Sequence, residues 1–542
     1  MKKVLFFMIY WIKELIEMGD KMQSIGNVIG GSTEKGISIR LKSDAKVNIG
    51  DIISCKNSEA TFYLKITNLY ISSSVPNQFI EEISGKKLER EENYHFFDKE
   101  ERFYKIAETK ILKIKNNDKL KPPKDVPSYF SEVYLANPKE FEFLNEGGEI
   151  EIGYLKNEAS SESLKIKLPA NNLISHHMLI VAATGKGKSN FAKVFLKGIM
   201  SCDKYSAIVF DPHNEYYGGE SIKGLRDLPN ANNKVIYFTP LTENLPAGAE
   251  KLEICVSDLE PEDFFGMVDL TSAQQEAIAL IYKTYGKNWI KELFEQNIDE
   301  RQKTFNDKIQ NVTFATLKRK IGKMLDISEN MEEGIIFKMP SNEESKSKTI
   351  YDKIKEELKN NKIIIIDTSM VGGDAEKIIT SSIVNKVYNL YRYNKQKKPK
   401  EFNIYPEVLI LFEEAPRVLG SEVLSKGTNV FERIAREGRK FKVGLCAITQ
   451  MPSLLPKEIL SQMNTKVILG IPSPEDRMAI INSSSQNISD ESLEIQMLEI
   501  GEALITSPFV KFPLPVNIYD FNQIVRECNK DKKKENPVNP GV

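Results

Sequence analysis

The sequence has few of the residues that build metal centres and disulfide frameworks. Its 542 residues include five cysteines, none in a C-x-x-C pair, and four histidines, none in a metal-binding cluster. Scattered cysteines of this kind argue against a zinc site and a disulfide framework, and for a reducing compartment. We therefore expect a cytoplasmic protein.

The sequence also lacks a long hydrophobic run. The apolar stretch at residues 4–12 ends at Lys13 and Glu14, and no small-residue cleavage site follows it. A membrane span needs about 20 apolar residues, so this stretch is neither a span nor a signal peptide. We interpret residues 1–21 as an N-terminal extension and expect no membrane partner.

Neither sign of charge dominates, because the formal net charge is -1 and the pI is about 6.6. Contact with nucleic acid must therefore come from a local basic surface and not from a generally basic protein. The cluster Lys318, Arg319 and Lys320 is one candidate, although a solvated helix face accounts for the same pattern.

The first part of the chain has the pattern of a small β-barrel. Short strand-like runs divided by glycine and polar turns fill residues 23–70, and the pattern resumes near residue 102 after a charged segment. Residues 119–127 are a proline-bearing linker, and the runs near residues 149–173 read as the last strands before the next domain. We assign residues 22–170 to a barrel domain and linker.

A phosphate-binding loop follows. Residues 178–181 are a short apolar run, residues 182–189 read AATGKGKS, and a helical apolar pattern comes next. In this context Gly185 and Gly187 let backbone N–H groups surround an anion at a helix N-terminus. Lys188 would then reach the β- and γ-phosphates, and the Ser189 hydroxyl would ligate Mg²⁺. The nucleotide-binding candidates are Thr184, Gly185, Lys186, Gly187, Lys188, Ser189 and Asn190.

The remaining chain alternates strands with helices. Near-continuous apolar runs at residues 207–210, 234–239, 362–366, 408–412, 443–449 and 466–470 predict strands that are buried on both faces. Such runs with helices between them indicate a largely parallel sheet. We predict core segments at 171–257 and 359–505, interrupted by a helical insertion at 258–358.

Two acids follow the predicted strand 408–412. Glu413 and Glu414 are expected at the carboxyl edge of the sheet, where α/β proteins hold their ligands. In phosphoryl transfer one acid supports Mg²⁺ and the other polarises the attacking water. We assign the first role to Glu413, where an aspartate is usual, and the second to Glu414.

A basic segment and a glutamine complete the set of candidates. Arg436 and Arg439 lie in REGRK at the end of a predicted helix, where arginines act either as partners of the helix dipole or as fingers for the γ-phosphate of a neighbouring subunit. Gln450 directly follows the predicted strand 443–449. It is placed to sense the γ-phosphate or orient water, or is simply a polar strand end.

These motifs resemble those of the HerA family of hexameric DNA translocases, within the broader HerA/FtsK group of ATPases. The resemblance is carried by ATGKGKSN, FDPHNEYY, LFEEAPRVL, the run from residue 434 to 465, and GEALITSPFVKFPLPVNI. Together they cover most of residues 26–518. The resemblance implies an α/β fold: a RecA-like P-loop ATPase core with a helical insertion, preceded by a small β-barrel.

The resemblance also implies roles for single residues. Lys188 and Ser189 match the nucleotide and Mg²⁺ ligands, Glu414 the catalytic glutamate, and Gln450 the sensor. Arg439 matches a finger that acts on the neighbouring subunit, with Arg436 as the second candidate. Asp211 matches an acidic position near the phosphates. Ala182 replaces a glycine and Pro416 a common histidine, but neither removes a group that handles phosphate, so hydrolysis is expected to survive.

The implied cofactors are ATP and Mg²⁺, and the implied partners are further copies of the chain in a homo-hexameric ring and double-stranded DNA. A NurA-like nuclease would indicate processing of DNA ends, and a sirtuin-like or other effector would indicate antiphage defence. A ring that scaffolds and regulates an effector without translocating would carry the same ATPase residues. A metabolic kinase would instead be a monomer that ignores DNA, and it leaves REGRK unexplained.

The C-terminal part, residues 506–542, divides in two. Residues 509–518 contain prolines, so we expect them to brace an edge or a neighbouring subunit and not to form a central strand. From residue 529 the sequence is polar and is expected to be disordered.

Overall fold

The computed structural model describes residues 24–57, 59–90, 98–117, 119–157, 163–219, 221–243, 245–246, 248–295, 304–305, 308–328, 330–340 and 348–535. The extension assigned to residues 1–21 lies outside them. The described residues form two compact units. The first takes in the chain up to Leu144 together with Tyr154–Leu164 and Ile488–Glu494, and the second takes in the rest.

The first unit contains the predicted barrel. Its strands are β1 Gly26–Ser32, β2 Gly36–Leu41, β3 Ile52–Lys56, β4 Thr61–Ser73, β5 Phe103–Asn116, β6 Lys119–Lys121 and β7 Glu132–Leu135. They run in the order β2-β1-β7-β3-β4-β5-β6, and an extra pairing between β2 and β5 closes six of them into a ring. Every neighbouring pair is antiparallel. Alternate residues point inward, and Ile39, Ile53, Phe62 and Leu64 are fully buried in the barrel core.

The second unit is built on one large sheet. Its order is β13-β12-β16-β11-β17-β18-β10-β19-β20-β21-β8-β9. The strands are β8 Ile150–Leu155, β9 Lys165–Leu168, β10 Met178–Val181, β11 Tyr205–Asp211, β12 Val235–Thr239, β13 Ala249–Lys251, β16 Ile363–Asp367, β17 Glu407–Phe412, β18 Val443–Thr449, β19 Thr465–Ile468, β20 Glu502–Thr506 and β21 Leu514–Ile518.

The first eight strands in that order, β13 to β19, are all parallel, whereas β20 pairs antiparallel with both β19 and β21. The carboxyl ends of β10, β11, β16, β17 and β18 therefore meet at one edge. This is the edge at which parallel α/β sheets bind ligands. The predicted fold class is confirmed.

Helices connect the strands. The α-helices of the described residues are Asn77–Arg90, Lys99–Arg102, Ala170–Ser175, Lys188–Cys202, Ala231–Lys234, Ser272–Tyr285, Trp289–Glu295, Asn311–Leu325, Ile350–Lys359, Gly373–Lys397, Pro399–Ile404, Pro416–Leu419, Ser421–Leu424, Val430–Glu437, Lys457–Gln462, Pro474–Ser483, Ser492–Met497 and Phe521–Glu535. Across the described part of the chain, every helix is too short or too polar to span a membrane.

The insertion is helical, as predicted, with one addition. It also contains a short strand, β15 Phe337–Lys338, which pairs in parallel with β14 Ile254–Cys255 just before the insertion. Such a short pair leaves little periodicity in the sequence, so residue patterning gives no sign of it.

Two boundaries differ from the sequence interpretation. Strands β8 and β9, which we assigned to the barrel domain and linker at 22–170, belong to the large sheet. Strand β21, which we expected to be an edge brace, lies between β20 and β8. Proline does not prevent a central strand here, because Pro515 is the second residue of β21 and removes only one N–H donor.

The C-terminal tail also differs. The helix Phe521–Glu535 includes residues 529–535, which we expected to be disordered. Residues 536–542 lie outside the described residues.

Candidate nucleotide-binding site

The predicted phosphate loop connects β10 to the helix Lys188–Cys202. That helix buries Phe191, Val194, Phe195 and Ile199, which are fully inaccessible to solvent. Each such side chain contributes about 1.5–3 kcal/mol of burial, so the helix gives the loop a rigid base. A hydrogen bond of 3.1 Å from the Ala183 N–H to the Gly470 carbonyl holds the loop in place.

Both loop glycines have left-handed backbone conformations. Gly185 has φ 76° and Gly187 has φ 99°, and a Cβ on either would meet no atom within 4 Å. Glycine is therefore required by the backbone and not by crowding, and the space beside the loop is open. Ala182, in contrast, has no positive φ, so its methyl group costs no backbone strain.

Lys188 faces three carboxylates. Partial burial lowers the pKa of its ammonium group, and the negative charges of Glu413, Glu215 and Glu414 oppose that shift. The structure thus brings together the loop lysine and the two acids that follow β17, as the sequence predicts, and adds Glu215 from the loop after β11. A lysine in this position can neutralise the negative charge of a bound triphosphate.

Glu413 is a buried acid held by the loop after β11. Its side chain is 8% exposed, and Oε1 accepts a 2.6 Å hydrogen bond from the Tyr216 hydroxyl. The His213 Nε2 atom lies 3.6 Å from Oε2. Burial raises the pKa of Glu413, and the bond from Tyr216 and the nearby His213 oppose the rise.

A hydroxyl and a carboxylate, Ser189 and Glu413, are the protein groups predicted to support Mg²⁺. Oxygen ligands of this kind suit that ion, which usually takes only one or two protein groups and completes its shell with phosphate and water. Among the described residues, no cluster of three or more His, Cys, Asp or Glu side chains is arranged to hold a metal alone. The donor set therefore fits Mg²⁺ that arrives with a nucleotide.

Glu414 has an unusual backbone and a charged partner. Its φ is 51°, in the left-handed region that non-glycine residues rarely occupy. Its Oε2 atom is ion-paired with the Nε atom of Arg417, and the side chain remains 43% exposed. The acid predicted to activate water is thus open to solvent but engaged by an arginine of its own chain.

Gln450 lies against the phosphate loop. Thr449 at the end of β18 is in register with Val181 at the end of β10, so the next residues on both strands are close. The Thr184 hydroxyl donates to Gln450 Oε1 over 2.7 Å. This contact places two of the predicted residues side by side.

Two further loop residues direct their side chains toward the protein. Asn190 accepts from the Phe521 N–H over 2.9 Å and donates to the Tyr519 carbonyl over 2.8 Å. Lys186 Nζ donates to the Leu498 carbonyl over 2.7 Å. In this arrangement only the backbone of these residues is available to a phosphate.

Asp211 supports the loop after its own strand. It is fully buried and accepts from the N–H groups of Glu215 and Tyr216 at 3.0 and 2.9 Å. Burial raises its pKa to about 6, against the two backbone hydrogen bonds. These contacts describe a structural role, and the catalytic role predicted for Asp211 stays a prediction.

The two candidate arginine fingers differ in their contacts. Arg436 pairs with Glu432 over 2.6 Å within the helix Val430–Glu437. Arg439 lies in the following 3-10 turn, Gly438–Phe441, and is exposed. Within the described part of the chain, no hydrogen bond or ion pair joins its guanidinium to the phosphate loop or to the acids after β17.

Sequence reasoning missed His213, Glu215, Tyr216, Arg417 and Glu376. The first three follow β11 in the segment FDPHNEYY, from which only Asp211 was selected. Arg417 follows Glu414 by three residues, a spacing that brings side chains together on a helical turn. That spacing was the available signal.

The fold and the site together define the class of protein. A strand, a glycine loop and a helix bind phosphate, and two acids follow a neighbouring parallel strand at the same edge of the sheet. This is the site of a P-loop ATPase.

Comparisons with known proteins show similarity to one family of helicases. The model of the "Helicase HerA, central domain" family matches residues 150–387. The DNA double-strand break repair helicase HerA of Pyrococcus furiosus is 28% identical over 539 residues, covering 92% of this chain and 93% of that protein. The helicase of the same name from Sulfolobus acidocaldarius is 28% identical over 513 residues, with 92% and 93% covered. The chain is thus similar to proteins named HerA over about nine-tenths of its length.

Solved structures align with this chain at lower sequence identity. VirB4 of Thermoanaerobacter pseudethanolicus aligns with a TM-score of 0.46 at 15% identity, covering 69% of this chain and 97% of that chain. The plasmid coupling protein TrwB, in complex with a non-hydrolysable GTP analogue, aligns with a TM-score of 0.43 at 13% identity, covering 65% and 88%.

Proposed function

We propose that this ATPase forms a ring, homo-hexameric as the family resemblance implies, that uses ATP hydrolysis to translocate on or remodel double-stranded DNA. The observation that carries the proposal is that Lys188 lies within electrostatic range of Glu413, Glu215 and Glu414 at one edge of the sheet. Two relatives are named DNA double-strand break repair helicases, and these names support DNA as the substrate of the ATPase.

Hydrolysis follows from the positions of the groups. Backbone N–H groups of the loop hold the β- and γ-phosphates at the positive end of the helix Lys188–Cys202, and Lys188 neutralises their charge. Glu414 accepts a proton from water as the water oxygen bonds to the γ-phosphorus, and the bond from that phosphorus to the bridging oxygen of ADP breaks. Ser189 and Glu413 would hold Mg²⁺, which would supply charge neutralisation when bound.

The charge that develops on the γ-phosphate needs a further cation. Arg439 is exposed and is not engaged with the loop of its own chain, which suits a finger for the site of a neighbouring subunit. Gln450 is held beside the loop by Thr184 and is placed to sense the γ-phosphate.

The basic cluster Lys318, Arg319 and Lys320 in the insertion has fewer side chains available for DNA contact than its sequence suggests. Lys318 Nζ donates to the Phe294 carbonyl over 2.7 Å, and Lys320 Nζ donates to the Asp269 carbonyl over 3.0 Å. Arg319 is the exposed member of the three. We therefore propose that any DNA contact from this cluster is made mainly by Arg319.

We propose a nuclease, NurA-like in the family resemblance, as the partner enzyme. The repair role named for the relatives requires chemistry at DNA ends, which a P-loop site does not supply. A defence effector is the alternative, and purification of the complex from its own host separates the two. We place the protein in the cytoplasm, because all five of its cysteines are free thiols.

The test is an ATPase assay with and without duplex DNA on the wild-type protein, Lys188→Ala and Glu414→Gln. We expect DNA to stimulate the wild type. Glu414→Gln should lose about 10²- to 10⁴-fold in rate, the usual contribution of a positioned acid–base group. Lys188→Ala should also lose activity, because the charge of the β- and γ-phosphates is no longer neutralised. Lys197→Ala, on the same helix as Lys188, controls for the loss of a helical lysine. Full activity of Glu414→Gln would refute the hydrolysis mechanism, and a rate indifferent to DNA would refute the motor.

A further inference from the structure

Arg417 lies between two carboxylates beside the site. Its Nε atom pairs with Glu414 Oε2, and its NH1 atom lies 3.1 Å from Glu376 Oε2. The Arg417 N–H also donates to the Glu414 carbonyl over 2.8 Å, which closes the turn that joins the two residues. One guanidinium is thus shared by an acid of the site and an acid outside it.

Glu376 belongs to a different element. It lies in the first turn of the long helix Gly373–Lys397, which follows β16, and its side chain is 16% exposed. The Thr368 hydroxyl lies 3.5 Å from its Oε1. Burial raises the pKa of Glu376, and the positive charge of Arg417 opposes that rise. Arg417 therefore has two competing partners, one exposed and one largely buried.

The contact with Arg417 affects what Glu414 can do. A carboxylate that activates water must accept a proton, and an oxygen paired with an arginine is less available for this purpose. The left-handed φ of 51° at Glu414 adds backbone strain, which persists where surrounding contacts hold the residue.

We propose that Arg417 is a positioning residue that holds Glu414 in a resting state, and that Glu376 draws Arg417 away and so releases Glu414 for catalysis. The inference rests on the proposed function, because it takes Glu414 as the group that activates water. It assigns to the chain a brake on ATP hydrolysis that acts within one subunit.

The two partners of Arg417 predict opposite effects. Without DNA, Arg417→Gln is expected to raise kcat for ATP about two- to fivefold, the factor associated with loss of one exposed ion pair, and to leave KM unchanged. Glu376→Gln is expected to lower kcat by a similar factor, because Arg417 then pairs with Glu414 alone. The double variant should behave like Arg417→Gln, and Arg417→Lys should restore part of the brake.

Arg102→Gln is a matched control. Arg102 pairs with Asp98 over 2.6 Å, and both side chains are exposed to nearly the same degree as those of Arg417 and Glu414. It lies in the barrel unit and is expected to leave kcat unchanged.

The outcomes separate this inference from the proposed function. If Arg417→Gln lowers kcat or leaves it unchanged, or if Glu376→Gln fails to lower it, the brake is refuted. The hydrolysis mechanism survives failure of the brake, provided that Glu414→Gln is inactive in the same assay. If Glu414→Gln is fully active, the mechanism fails and the brake fails with it.

Discussion

Glu413 and Glu414 are neighbours in sequence but occupy different environments. Glu413 is buried and held by Tyr216, whereas Glu414 is exposed to solvent and contacts Arg417. A held, buried carboxylate suits the support of a cation, and an exposed one suits contact with water. The roles assigned to Glu413 and Glu414 from the sequence stay predictions.

His177 predicts how stability depends on pH. Its side chain is buried, and burial followed by the charge of His176 lowers its pKa from 6.5 to about 4. Its Nδ1 atom accepts a 3.0 Å hydrogen bond from the Leu445 N–H, so the folded protein needs the neutral ring. Below pH 6.5 His177 is protonated in the unfolded chain but stays neutral in the folded protein. The free energy of unfolding therefore falls as the pH falls toward 4.

From pH 7.5 to pH 5 we expect His177 to cost about 2 kcal/mol of unfolding free energy. His177→Gln keeps an acceptor for Leu445 but cannot titrate, so denaturant unfolding of this variant should lose that part of the pH dependence. His213→Gln, at a half-exposed histidine, should keep it. An unchanged slope in His177→Gln would show that other groups control acid stability.

At the scale of single residues, the sequence was informative where a motif is local. Lys188 and Ser189 follow from eight consecutive residues, and Glu413 and Glu414 follow from the end of one strand. Glu215 and Glu376 could not be found in this way. Glu215 lies at the site and Glu376 beside it because β11 is adjacent to both β16 and β17, and that order depends on pairing between distant segments.

At the scale of elements, the helix Ser272–Tyr285 shows how far local patterns can be trusted. The segment SAQQ at residues 272–275 has the sequence pattern of a capping box that starts at Ser272, but the N-cap is Thr271. Its hydroxyl accepts from the Gln274 N–H over 3.3 Å, and Gln274 Oε1 accepts from the Thr271 N–H over 3.1 Å. The chemistry was right and the position was wrong by one residue, because Ser and Thr both suit an N-cap.

Thr271→Ala is expected to destabilise the start of this helix by about 1 kcal/mol, and Ser272→Ala to have little effect. The reason is that only Thr271 satisfies an N–H group that the helix leaves free. Hydrogen exchange of residues 272–285 measures the difference, with amides in Thr271→Ala exchanging about fivefold faster through local opening. Equal exchange in the two variants would contradict the assigned cap.

For the whole molecule, the barrel and the parallel core were predictable because each strand carries its own pattern. The alternation in β2 and the buried runs in β16 and β18 need no knowledge of neighbouring strands. The order of strands in the sheet was not predictable, and this explains the errors with β8, β9 and β21. Each has the pattern of a strand, but the choice of partner depends on distant parts of the chain.

The last prediction concerns sites shared between subunits. If Arg439 completes the site of a neighbouring subunit in a ring, Glu414→Gln and Arg439→Ala should each be inactive alone. An equal mixture should recover about one quarter of the wild-type rate, because each interface then has even odds of receiving an intact Glu414 and, independently, an intact Arg439. ATPase activity after the subunits are mixed and reassembled measures this recovery. A mixture of Lys188→Ala with Glu414→Gln is the control, because both residues lie in the same half of the site and no interface can combine them. Absence of recovery in the first mixture, or an active Arg439→Ala protein, would show that each subunit hydrolyses ATP without its neighbour.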